Sequence, residues 1–141
     1  MRLLRFGICA LVVFAVAAHG GVEDWARAVF ETGTGLLFLA WALRMYFTHE
    51  EQIVFSPLLP PLAAFFLVVC GQWFFHGTSS SYNTRMELLL LASDLILLFL
   101  AVQAFRTIQD WRGFVWFGMG FGFLVCIFGI LQHVTFNGKL Y

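Results

Sequence analysis

Asp94 lies inside the apolar run from Met86 to Phe105, two turns of helix or about 12 Å beyond its start. A carboxylate at that depth in hydrocarbon is costly, so it must face protein or water. Three roles suit it: a proton relay, a contact to a polar headgroup, or a hydrogen bond to a neighbouring helix aided by Ser93. Glu31 is the second embedded carboxylate. If its helix begins near Ala28 it falls in the first turn, where the helix dipole favours negative charge. Arg27, four residues earlier, is then on the same face and able to pair with it. Arg27 and Arg85 both flank apolar runs, within reach of lipid headgroups.

Other residue groups carry less chemistry. His19, His76 and His133 fall at one boundary of the apolar runs and His49 at the other, with no metal- or haem-ligand spacing. No metal or other cofactor is expected. Cys9, Cys70 and Cys126 sit singly in apolar runs and read as small hydrophobes. Gly118, Gly120 and Gly122 lack the preceding strand of a nucleotide-binding turn; Gly118 and Gly122, one turn apart, instead make a flat stripe for helix packing. The sequence shows no Ser/His/Asp catalytic set, no paired carboxylates at one depth and no HExxH motif.

The elements that must carry these residues are apolar. Hydrophobic residues make up 61% of the 141 and charged ones 11%, and the mean hydropathy is +0.86. A soluble domain of this size cannot hide so much apolar surface, whereas a bilayer accepts it. Basic and acidic residues balance at eight each, which excludes a nucleic-acid partner. The fold class expected is all-α, a polytopic membrane protein with about five transmembrane helices near residues 4–20, 28–47, 58–75, 86–105 and 113–133, forming one domain over 1–141. Ser56-Pro57 opens the third run, although Pro60 and Pro61 allow the regular helix to start only there.

Basic residues orient the spans. With a cytoplasmic N-terminus, Arg2, Arg5, Arg44, Arg106 and Arg112 lie inside and Arg27, Arg85 and Lys139 outside. Trp25 and Trp73 then mark the outer boundary and Trp111 and Trp116 the inner one. An odd number of crossings leaves the C-terminus outside. The first run also fits a cleavable signal peptide, with Arg2 and Arg5 ahead of an apolar core and Ala15-Val16-Ala17 after it.

Two stretches resemble a known family. Gly20-Gly21-Val22-Glu23-Asp24-Trp25, leading into Phe30-Glu31-Thr32-Gly33, is similar to the first outer loop and second helix of bacterial O-antigen ligase and polymerase-like membrane proteins. Gly129-Ile130-Leu131-Gln132-His133, followed by Asn137-Gly138-Lys139-Leu140-Tyr141, resembles the end of a later helix in the same group. The order and spacing of the runs between them also fit, so the resemblance spans essentially the whole chain, as the N-terminal part of a longer family protein. It implies residence in the bacterial inner membrane and transfer of a glycan from a polyprenyl-diphosphate carrier during lipopolysaccharide biosynthesis, without metal or nucleotide. The family's functional arginines and histidine belong to later helices and a large outer loop, so none maps onto this chain. What it implies here is an N-terminal membrane scaffold, inactive alone, whose partners are lipids, the lipid-linked glycan and further helices downstream or in a partner chain. The alternative is a small non-catalytic subunit of a larger membrane complex.

Overall fold

A computed structural model describes residues 2–18, 23–48, 53–75 and 81–135. Within them are five helices and no strand: α1 (Arg2–Ala17), α2 (Asp24–Thr48), α3 (Leu59–Phe74), α4 (Ser81–Ala104) and α5 (Ile108–Thr135). The all-α expectation is met. Four helices, α1, α2, α4 and α5, start earlier than their apolar runs, because first-turn backbone N–H groups tolerate and even recruit polar residues. α2 begins at Asp24, whose carboxylate sits in the favourable first turn. α5 begins after a reciprocal cap: the Asp110 amide donates to Thr107 Oγ1 at 3.3 Å and the Thr107 amide to Asp110 Oδ2 at 3.4 Å. In α3 the prolines occupy the first turn, where a missing N–H costs nothing, and Ser56-Pro57 forms the turn leading in.

Five separately spanning helices is an expectation the structure narrows to two. Tyr82–Ala104 of α4 and Ile108–Thr135 of α5 are long and apolar enough to cross a membrane. α1 and α3 have 16 residues each, about 24 Å of rise, and fall short of a full hydrocarbon thickness. α2 has 25 residues, but Asp24, Arg27, Glu31 and Arg44 interrupt it.

The chain divides into two compact units, Met1–Ala104 and Phe105–Tyr141. In the first, α4 is the hub: it packs against α1, α2 and α3, and α1 also packs against α2. Hydrogen bonds fix the polarity. Arg5 Nε donates to the Ala104 carbonyl at 2.9 Å, placing the start of α1 at the end of α4. Arg27 Nη1 meets Glu87 Oε1 at 3.0 Å, placing the starts of α2 and α4 together at the opposite end. Hence α2 and α4 run parallel, with α1 antiparallel to both.

α1 and α2 approach closely at two glycines. A Cβ on Gly7 would lie 2.5 Å from Leu37 Cδ2, and one on Gly33 2.7 Å from Leu11 Cδ2, so each helix receives a leucine from the other. The core is narrow. Ile8, Ala26, Phe30, Leu100 and Ala104 are buried, and Trp41 stands perpendicular to Phe99 with ring centres 5.0 Å apart. In the second unit, Phe114 packs against Phe105 at 4.8 Å and Trp111 at 6.1 Å, while Phe117 and Phe121 stack along α5. No residue of α5 is buried.

Candidate functional site

α4 positions Asp94 more centrally than the apolar run suggests. Because the helix begins at Ser81, Asp94 lies about 20 Å from its start and about 15 Å from Ala104. From Leu90 to Leu100 every residue is buried or half-buried except Asp94, which is exposed. Between Leu90 and Leu100 the side chains around the hub helix therefore leave one opening, and the carboxylate stands in it. Among the described residues no hydrogen bond or ion pair reaches that carboxylate. Ser93 is buried and spent on its own helix, its hydroxyl donating to the Leu89 carbonyl at 3.0 Å. It does not assist Asp94.

Glu31 lies two turns into α2, beyond the first-turn position expected for it, because the helix starts at Asp24. It is half-buried. The structure pairs Arg27 with Glu87 of α4, across the helix–helix interface. Glu87 went unnoticed in the sequence because it lies inside an apolar run whose register against α2 the linear pattern does not encode. Arg85 is exposed in the second turn of α4. Gly118 and Gly122 face open space: a Cβ on either would meet nothing within 4 Å. Among the described residues the close helix approach is at Gly7 and Gly33 instead. His19, His49 and His76 lie outside the described residues, and His133 is in the last turn of α5. Cys9 and Cys70 are half-buried and Cys126 is exposed. Among the described residues no three His, Cys, Asp or Glu side chains gather to hold a metal.

The polar group least evident from the amino-acid pattern is Gln103. It is fully buried, and its amide clamps one residue of the segment before α3. Oε1 accepts from the Val54 amide at 3.1 Å and Nε2 donates to the Val54 carbonyl at 2.8 Å. Those two bonds reproduce a strand-like pairing with a side chain. Together with Arg5, whose guanidinium supplies positive charge and a donor where the α4 carbonyls end, Gln103 ties three chain segments to one end of the bundle.

Among the described residues two buried side-chain polar atoms lack partners, Thr34 Oγ1 and Trp41 Nε1. Trp41 also borders a cavity of about 80 Å³ between α1 and α2, lined by Leu3, Leu4, Leu37, Ala40 and Arg44. That volume holds a few methylene groups and no headgroup. The arrangement fixes backbone and leaves the Asp94 carboxylate exposed midway along α4. Comparison of the chain with known protein families, curated proteins and solved structures finds no match in any of the three.

Proposed function

We propose that this chain is a multi-pass scaffold of the bacterial inner membrane, the N-terminal portion of an O-antigen ligase or polymerase-like glycan transferase. The observation that carries the reading is the order in which two family-like stretches bracket the helices. One enters α2 through Glu23-Asp24-Trp25 and Phe30-Glu31-Thr32-Gly33; the other closes α5 through Gly129–His133. The α4-centred bundle supports a scaffold role, since its polar contacts staple helix ends rather than assemble reacting groups.

In this reading all five helices cross. α1 and α3 are short spans that rely on α4 for lateral packing, with local thinning of the bilayer making up their length. The bundle end with Arg2, Arg5 and Arg44 is cytoplasmic, and the end with Arg27 and Arg85 faces outward. Packing of α1 on α2 and α4 favours a retained first span over a cleaved leader. The polyprenyl chain lies along the bundle with its diphosphate at the outer end, near Arg27 and Arg85. The diphosphate leaving group supplies the driving force for glycan transfer, and residues outside this chain do the transfer.

The test is photocrosslinking in vesicles with a diazirine-bearing polyprenyl diphosphate. Labelling concentrated near Arg27 and Arg85, and competed by unlabelled polyprenyl diphosphate but not by the free polyprenol, is the expected result. Equal competition by both lipids counts against the reading. A second reading, a small non-catalytic subunit of a larger membrane complex, is favoured by the outward carboxylate of Asp94.

A further inference from the structure

The opening at Asp94 sits at a depth that restricts what can fill it. The carboxylate is about 15 Å from the nearer end of α4, roughly half the thickness of a hydrocarbon core, so lipid headgroups lie out of its range. Leaving an exposed carboxylate against acyl chains is costly, and such groups persist when a complementary side chain meets them. The bundle supplies none among its described residues. A second copy offers no cation at this level either. Among the described residues the arginines, Arg2, Arg5, Arg27, Arg44, Arg85, Arg106 and Arg112, stand near the ends of helices or between helices, and α5 carries no charged residue between Arg112 and His133.

From this placement we infer that the Asp94 face of α4 is a docking surface for a transmembrane helix of another polypeptide, one bearing a lysine or arginine near mid-span. The contact is a charge-assisted hydrogen bond made inside hydrocarbon, where a lone cation on the partner would be as costly as the lone carboxylate. Each helix is thereby stabilised by the other. Asp94 becomes the residue that selects the partner and sets its depth. Leu91 and Leu98, one turn to either side on the same stripe and both half-buried, flank it with apolar surface. The inference rests on the membrane reading above but not on glycan transfer.

The experiment uses the full chain, donor-labelled and reconstituted in phosphatidylcholine vesicles, with acceptor-labelled polyleucine helices as probes. One probe carries a single central lysine, one carries the lysine near its end, and one carries none. The central-lysine helix should associate roughly tenfold more tightly than the plain one, a difference of about 1.4 kcal/mol. Moving the lysine to the end should abolish the gain, as should Asp94→Leu, whose position at the surface leaves folding intact. Equal association of all three probes with the native chain overturns the inference. So does self-association of the chain that disappears in Asp94→Leu, because a second copy would then be the occupant. If alkaline carbonate strips the chain from the vesicles, the membrane reading itself fails. Stable insertion without discrimination between probes sinks only the docking surface.

Discussion

Single side chains in this bundle do opposite things to its stability, and hydrogen-bond accounting tells which. Gln103 is buried with both amide atoms bonded to Val54, so Gln103→Leu keeps the volume but strands the Val54 amide and carbonyl. We expect a loss of about 1–3 kcal/mol, read as a lower midpoint of thermal unfolding in detergent, with faster hydrogen exchange at the Val54 amide. Thr34 is the mirror case. Its hydroxyl is fully buried without a partner, so Thr34→Val removes an unsatisfied group at nearly constant shape. The same unfolding measurement should show unchanged or higher stability, by up to about 1 kcal/mol. A drop of that size would mean the hydroxyl has a bond partner in the folded protein.

At the level of helices, the apolar runs made all five elements legible, because a run of some 16 or more Leu, Phe, Val and Ala residues is too long for a typical strand and closes its backbone bonds as helix. Their starts were less legible. Polar first turns such as Asp24 and the Thr107/Asp110 cap extend helices beyond the apolar signal. Packing partners were least legible. The glycine pattern drew attention to Gly118 and Gly122, whereas Gly7 and Gly33, isolated in sequence, take the leucines of a facing helix. Spacing reveals a stripe, but only a partner's side chain makes it an interface. Gly33→Val should therefore loosen the α1–α2 contact at a cost of about 1–3 kcal/mol, because Leu11 must leave its position. Gly122→Val should leave the unfolding midpoint of the isolated chain nearly unchanged, apart from the small intrinsic penalty of a branched residue. Similar losses at both sites would show that α5 has a close neighbour too.

For the whole molecule, the polarity of the bundle makes the membrane reading vulnerable to a direct measurement. The same was true of the candidate site: Asp94 was legible as a polar residue in a greasy helix, but its outward direction depends on α1, α2 and α3 gathering around the rest of α4. Helix polarity is another such collective property. The Arg5–Ala104 and Gln103–Val54 bonds gather the start of α1, the segment before α3 and the end of α4 at one end, and Arg27–Glu87 sets the starts of α2 and α4 at the other. If the bundle spans a bilayer, exposed sites at these ends must lie in different compartments. With Cys9, Cys70 and Cys126 replaced by alanine, single cysteines at Val54 and Arg106 should react with a membrane-impermeant maleimide only after the inner membrane is opened. Single cysteines at Asp24 and Tyr82 should react in intact spheroplasts. That orientation is the one proposed above from the basic residues Arg2, Arg5 and Arg44 at the first end. A reversed pattern would keep the bundle and overturn its orientation, while equal reactivity of all four sites would remove the bilayer from between the two ends.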